Sequence, residues 1–199
     1  GRIVDVILAS ASPRRKALLS LLWHQFSTFP ADIDESVLPQ ELPQTYVSRV
    51  AHEKARVCAE RTQDHALVLA ADTTISLDEH ILGKPLDYDH AKTILRSLSG
   101  REHQVLTAVS ARRGERYKDI LVTSRVTFTT LSDELIESYL ATDEPWDKAG
   151  AYAIQGRAGS FVTRIEGSYS AVVGLPLVET RELLASFGIA PDWALSIDD

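Results

Sequence analysis

Ser10, Ser12, Arg14 and Arg15 lie within one short segment, between an apolar run that ends at Ala9 and a leucine-rich run that starts at Ala17. At a strand-to-helix turn, free N–H groups and the positive end of the helix dipole attract anions, two hydroxyls can donate, and two guanidiniums can grip several phosphate oxygens. This set suits a polyphosphate. The same residues also make an ordinary capped helix, with Ser12 as N-cap, Pro13 at the first helical position and solvated arginines. Both readings stay open on this segment alone. Asp72 is the second candidate, because it interrupts the nearly unbroken apolar and β-branched run from Ala66 to Leu77. An ionised carboxylate in such a strand must lie at its end, pair with a cation, bind a metal or take up a proton. Thr73 points to the opposite face if the strand is regular.

Lys54 and Lys84, each an unremarkable surface lysine by itself, gain meaning in combination with these residues. Glu35, in the loop Asp32-Ile33-Asp34-Glu35, is either a solvated acid or a ligand, with Asp72, for a hard cation such as Mg²⁺ that keeps waters and phosphate oxygens in its shell. Gln155, after the run Asp147-Lys148-Ala149-Gly150, offers an amide that both donates and accepts toward a base edge. Other chemistries find no support. His24, His52, His65, His80, His90 and His103 lack metal-ligand spacing, and there is no Walker loop, Gly-x-Ser-x-Gly or dinucleotide fingerprint.

The elements that must position these residues alternate between strand and helix in the first half of the chain. A strand over Val4 to Ala9 leads into the helix after Ser12, residues 30 to 43 read as a loop, and Thr45 to Arg61 is helical and carries Lys54. Ala66 to Leu77 is a strand buried on both faces, followed by a tight reversal over Leu77 to Ile81, the Gly83-Lys84-Pro85 segment and a helix over Tyr88 to Leu98 closed by Gly100. Gln104 to Ala111 and Asp119 to Thr129 pair across Arg113-Gly114-Glu115, and Ser132 caps a helix through Leu140. Beyond Pro145, Gly150 to Gly156, Phe161 to Ile165 and Tyr169 to Val173 read as three short extended segments, and Glu179 to Phe187 as a closing helix. Fraying is expected from about Pro191. The pattern predicts an α/β fold with an elongated mixed sheet, built as one bilobed domain over residues 1–199 with a cleft between the lobes.

With 199 residues, 44% hydrophobic and 25% charged, the chain has the composition of a globular domain. Its net charge of −7 opposes non-specific attraction to nucleic acid, and its aromatic residues are dispersed, so an RNA- or DNA-binding role is disfavoured and any phosphate site must be local. A single cysteine, Cys58, excludes an intrachain disulfide and fits a reducing compartment. No apolar run is long enough to span a membrane, and the cytosol is the expected location. The chain opens Gly1-Arg2-Ile3 and contains no Met, so a trimmed or replaced start is expected.

Taken in order, Leu8-Ala9-Ser10-Ala11-Ser12-Pro13-Arg14-Arg15, Glu53-Lys54-Ala55, Ala71-Asp72-Thr73, Gly83-Lys84-Pro85, the run from Asp147 to Gly156 and Val173-Gly174-Leu175-Pro176-Leu177 resemble the motifs of the Maf family of nucleotide pyrophosphatases. Any one motif is weak; the ordered set is specific and covers nearly the whole chain. The resemblance implies a Maf/Ham1-type fold, usually a homodimer, and hydrolysis of a nucleoside triphosphate between its α- and β-phosphates with a divalent metal, Mg²⁺ or Mn²⁺. It also implies that Asp72 is the general base, and that Gly150 to Gly156 belongs to the dTTP/UTP-specific branch, with Arg14, Thr73 and Gln155 at its selectivity positions. The branch acting on 7-methyl-GTP carries a Glu in place of the Gln, and Ala153 stands where Gly is common in close relatives. A house-cleaning role follows from the same resemblance. The family is also associated with arrest of septum formation, so a regulatory nucleotide sensor is the competing reading, against which the intact Arg14, Arg15, Lys54, Asp72 and Lys84 set argues.

Overall fold

A computed structural model describes residues 5–23, 25–62 and 65–194. Val4, the expected start of the first strand, and residues 195–199 of the expected frayed end lie outside the described residues. Strand β1 (Val6–Leu8) gives way at Ser10 to α1 (Pro13–Leu19), whose start follows from its sequence: Pro13 needs no N–H partner there, and Ser12 Oγ accepts from the Arg15 N–H at 3.3 Å. A two-residue strand, β2 (Ser27–Thr28), has no sequence signal and forms by pairing with β1. Helix α2 (Pro43–Glu60) begins two residues before the predicted start, because Pro43 is accepted in the first turn.

Strand β3 (Leu67–Leu77) turns into β4 (His80–Leu82) through Asp78 and Glu79, both at positive φ as a two-residue hairpin turn of the mirror-image type demands. Asp87 caps α3 (Tyr88–Leu98) by accepting from the His90 N–H at 2.7 Å. The long hairpin β5 (Glu102–Arg113) and β6 (Arg116–Phe128) reverses at Gly114, and Ser132 caps α4 (Asp133–Leu140).

Of the three extended segments expected after Pro145, only one exists, as β7 (Val162–Glu166). Residues Ala149–Ala151 form a short 3₁₀ turn with Gly150 and Ala151 at positive φ, and the Gly156 region leads into a second 3₁₀ turn, Arg157–Phe161. Tyr169–Val173 is a helix, α5, because Ser168 Oγ accepts from the Ala171 N–H and supplies a cap that outweighs the strand preference of Tyr and Val in so short a piece. Helix α6 (Leu177–Ala185) follows.

The seven strands form one mixed sheet in the order β2-β1-β3-β5-β6-β7, with β4 also on β3. One edge of β3 pairs with β5 from Val68 to Ser76; the other is shared, by β1 against Leu67–Leu69 and by β4 against Ile75–Leu77. Residues 70–74 therefore face a fork that no strand fills among the described residues.

Side chains alternate across β3 as a regular strand requires. Val68 and Ala70 pack under α2 with Ala55 and Cys58. On the other face, Leu67, Leu69 and Ala71 join α1 and α6 in one core, while Ile75 and Leu77 join α3 and α4 in another. Between these two cores the cross-strand pair is Thr73 and Thr107, a polar seam flanked by Ala71 opposite Val109 and Ile75 opposite Val105. The seam is the boundary between the two cores.

The second core contains a buried histidine, His103, whose Nε2 lies 2.6 Å from the Tyr152 hydroxyl and whose ring meets Phe128 edge-on. Burial pushes its pKa down to about 4. Between pH 6.5 and about 4 the unfolded chain takes up a proton that the folded chain refuses, so stability falls as pH drops through that window, by up to about 1.4 kcal/mol per pH unit. Urea unfolding at a series of pH values should therefore show a shallower acid loss for His103→Gln than for the unmodified chain. Equal slopes would mean that His103 protonates in the folded state.

Candidate functional site

The fork in β3 opens into a cleft of about 450 Å³, and every residue singled out from the sequence lines it: Ser10, Ser12, Arg14, Arg15, Glu35, Lys54, Asp72, Thr73, Lys84 and Gln155. Each arrives on a different kind of support. Ser10 to Arg15 come from the β1–α1 turn, Lys54 from the middle of α2, Asp72 and Thr73 from the fork, Lys84 from the loop after β4, and Gln155 from the turn between the two 3₁₀ segments.

Asp72 is 8% exposed and points toward α2. Its Oδ1 lies 3.2 Å from Lys54 Nζ, which also stands 3.2 Å from Glu35 Oε1 and donates to the Ala71 carbonyl at 3.4 Å, on the edge of β3 that lacks a strand. Lys54 thus answers both a buried carboxylate and a backbone group that the fork leaves unpaired. Burial, the largest influence, pushes the Asp72 carboxyl above its ordinary range, against the opposing pull of Lys54 and Arg15. Glu35 is half exposed, and the loop carrying it is tied to α2: the Tyr46 hydroxyl donates to the Glu35 carbonyl at 2.7 Å, and Arg49 donates to the Ser36 carbonyl and, through two nitrogens, to Glu41. Neither Tyr46 nor Arg49 stands out in the sequence; an aromatic and an arginine three residues apart on one helix face is the available signal.

Thr73 points the other way, as the strand period requires. Arg15 donates from Nη2 to Thr73 Oγ1 at 3.1 Å and from Nε to the Gly174 carbonyl at 2.9 Å. Thr107 donates to the Ala171 carbonyl at 2.7 Å, so the Thr73 hydroxyl, 3.0 Å away, is left to donate to Thr107. The donors run in one direction, from Arg15 through Thr73 and Thr107 to the Ala171 carbonyl in the middle of α5, and fix the guanidinium between two elements. Gly174, at φ 142°, is where the chain passes Arg15: a Cβ there would stand 3.5 Å from Arg15 Cγ and Nε on a backbone that L-residues rarely adopt. Burial lowers the Arg15 pKa while Asp72 raises it, and a guanidinium stays charged through such shifts. Thr107 is invisible in the sequence because a threonine in a strand is ordinary.

Ser10 and Ser12 are committed to the turn itself, since Ser10 Oγ accepts from the Ser12 N–H at 3.0 Å and Ser12 Oγ caps α1. Each keeps one hydroxyl hydrogen to donate into the cleft. Across from them, Lys148 also lines the cleft and ion-pairs with Asp147, whose carboxyl is held below its ordinary value by that lysine and, more weakly, by Arg14. The cleft carries five cations, Arg14, Arg15, Lys54, Lys84 and Lys148, against three carboxylates, Glu35, Asp72 and Asp147, in a chain of net charge −7. That local reversal of sign, with donors converging on a concave space, suits a polyanion beside a pair of oxygen ligands.

Among solved structures, the chain is similar to a HAM1 protein from Coxiella burnetii, with a TM-score of 0.46 at 15% identity over 63% of this chain and 73% of that one. It is similar as well to the Staphylococcus aureus Ham1 protein, at 0.45 and 12% over 62% and 71%. Curated relatives are far nearer in sequence. A protein of Pseudoalteromonas atlantica named dTTP/UTP pyrophosphatase is 51% identical over 188 residues, 93% of this chain and 98% of the relative, and one of Escherichia coli K12 with the same name is 51% identical over 93% and 94%. A third, from Hahella chejuensis, is 52% identical over 92% of both chains. The family model described as Maf-like protein matches residues 5–187, which takes in every residue that lines the cleft, and the chain belongs to the Maf family.

Proposed function

We propose that the chain hydrolyses dTTP and UTP to the monophosphate and pyrophosphate, the activity for which its curated relatives are named. The observation that carries this reading is the convergence at one strand fork of a buried carboxylate, Asp72, with cations from α1 and α2. Asp72 Oδ1 is engaged by Lys54, while Oδ2 makes no hydrogen bond among the described residues and can accept a proton from water. Water attacks the α-phosphorus, its oxygen joins the monophosphate, the bond from that phosphorus to the bridging oxygen breaks, and the electron pair leaves with pyrophosphate. Arg15 and Lys54, held by their neighbours before substrate arrives, face the charge that grows on the leaving group, and Lys84 and Lys148 add cations on the other wall.

Glu35 and Asp72 fit a divalent cation, Mg²⁺ or Mn²⁺: both place an oxygen 3.2 Å from one point, Lys54 Nζ, and two carboxylates with phosphate oxygens and waters are the usual protein share of such a site. Among the described residues no cluster of three or more His, Cys, Asp or Glu could hold the ion alone, and substrate oxygens and waters would complete the shell. When bound, the cation supplies charge neutralisation on the phosphates and a more acidic water.

Gln155, exposed on the cleft wall with Ala153 and Ile154, is the candidate reader of the O4 and N3–H edge of uracil and thymine, beside Arg14 and Thr73. The family resemblance extends the reading to a homodimer with a cytosolic house-cleaning role; no helix among the described residues is long and apolar enough to cross a membrane.

Pyrophosphate release by purified protein with Mg²⁺ or Mn²⁺, against the common triphosphates and 7-methyl-GTP, is expected to single out dTTP and UTP. Asp72→Asn should keep the fold, by circular dichroism and thermal midpoint, and lose at least about 10²-fold in kcat. Turnover at the unmodified rate would remove Asp72 from the base role. Gln155→Glu should lose activity on UTP by placing a second acceptor against uracil O4, and an unchanged preference for UTP over CTP would refute base reading by Gln155.

A further inference from the structure

Gln155 is exposed, and its long side chain has no hydrogen bond among the described residues, so nothing it touches fixes where its amide sits. What is fixed is the backbone on either side. The Tyr139 hydroxyl accepts from the Ala153 N–H at 3.3 Å and donates to Glu144 Oε2. Glu144 Oε1 accepts from the Arg157 N–H at 2.7 Å, and Oε2 from the Ala158 N–H at 3.1 Å. Three backbone donors that bracket Gln155, two residues before it and two and three after, therefore end on one hydrogen-bonded Tyr–Glu unit. The turn is closed within itself by the Gly156 N–H on the Ala153 carbonyl at 3.0 Å.

The unit is built for this contact. Tyr139 is 3% exposed with its ring edge-on to Phe161, in the core that joins α3 and α4 to the sheet, and the Glu144 side chain is 11% exposed. A Cβ at residue 156 would lie 2.0 Å from Glu144 Oε1, so only glycine lets the carboxylate approach the turn. Burial would raise the Glu144 pKa, but the Tyr139 hydroxyl and the two N–H groups outweigh it and hold the carboxyl below its ordinary value, as the ion that accepts from all three. An exposed anion on a rim would have no reason to be so enclosed. Neither residue is among the cleft-lining side chains, so the pair stands behind the turn and not in the cleft itself.

We propose that Tyr139 and Glu144 are a positioning pair for base selection, holding the 153–158 turn so that Gln155 meets the pyrimidine edge at a fixed reach. The proposal rests on Gln155 as the base reader. Selectivity in a site of this kind is a difference in transition-state binding, sensitive to displacements of about 1 Å, whereas the phosphate chemistry at the β3 fork is supported by other elements.

The test is a double-mutant cycle on the ratio of kcat/KM for UTP to that for CTP, with Tyr139→Phe and Glu144→Gln each made alone and in a Gln155→Ala background. Each single variant is expected to lower the ratio about tenfold, chiefly through KM for UTP with kcat little changed, and neither should lower it further in that background. If Gln155→Ala lowers the ratio and the other two do not, the positioning role is overturned while base reading stands. If Gln155→Ala leaves the ratio unchanged, base reading fails and the proposal fails with it. Equal losses with Gln155 present and with Gln155→Ala in place would show a general structural effect and also overturn it. Should Glu144→Gln fail to fold, Tyr139→Phe, which keeps the ring packed on Phe161, decides between these outcomes.

Discussion

Asp72 sits in the middle of a strand buried on both faces, where an uncompensated ion costs several kcal/mol, and the surrounding architecture follows from that constraint. The edge of β3 is split between β1 and β4, which leaves residues 70–74 without a strand partner on that side. Lys54 fills the gap chemically, meeting the Asp72 carboxylate, the Ala71 carbonyl and Glu35 with one ammonium. To do so it must project from the face of α2 that packs on β3, which is why that helix buries small residues, Ala51, Ala55 and Cys58, close to the sheet. A bulky residue there would lift the lysine away from the carboxylate. The chain closure at the fork thus makes the cleft, and the need to satisfy what the fork exposes equips it.

The opposite face of β3 solves a different problem with the same device. Two apolar cores abut at Thr73 and Thr107, and a polar seam between them is tolerable only if every hydroxyl is paired. The run of donors from Arg15 to the Ala171 carbonyl pairs both hydroxyls and ends on α5, so one chain of hydrogen bonds joins α1, the sheet and the segment before α6. A guanidinium gripped at Nε and Nη2 has little rotamer freedom left to lose when an anion arrives, which is the condition for preorganised stabilisation of developing charge.

How much of this is legible in the sequence depends on whether the signal is local. Ser12 with Pro13 announces α1, the apolar run announces β3, and the alternation rule places Asp72 and Thr73 on opposite faces, because each follows from neighbours in the chain. The helix at Tyr169–Val173 reads as extended, since β-branched and aromatic residues suggest a strand and the single overriding cap, Ser168, is a common residue in an uninformative context. Strand β2, only two residues long, exists through pairing alone. At the site, charged and glycine-flanked residues stand out, whereas Thr107, Tyr139 and Glu144 do not, because a threonine in a strand or a tyrosine on a helix carries no mark of what it touches 14 or 34 residues away. Residues that line the cleft are unusual for their surroundings; residues that hold them are not.

The cations of the cleft differ in how they are held, and for the proposed reaction that difference matches what each end of a triphosphate would require. Arg15 and Lys54 are partly buried, locked to Thr73, Gly174 and Asp72, and sit at the base of the fork where the scissile linkage would lie against Asp72. Lys84 is exposed on a loop after β4, and the Gly83 carbonyl of that loop accepts from the Gly150 N–H, which ties it to the segment carrying Lys148. Charge that changes during the reaction is best met by groups that need not move, since their reorganisation would otherwise add to the barrier. Charge that must arrive and then depart, as pyrophosphate does, is better met by a solvated lysine such as Lys84, whose attraction is screened and whose grip is correspondingly loose, while Lys148, 15% exposed and paired with Asp147, lies between the two cases. A cleft lined throughout by fixed, desolvated cations would bind its product as tightly as its transition state, and the graded arrangement from the buried base of the fork to its exposed lip avoids that trap.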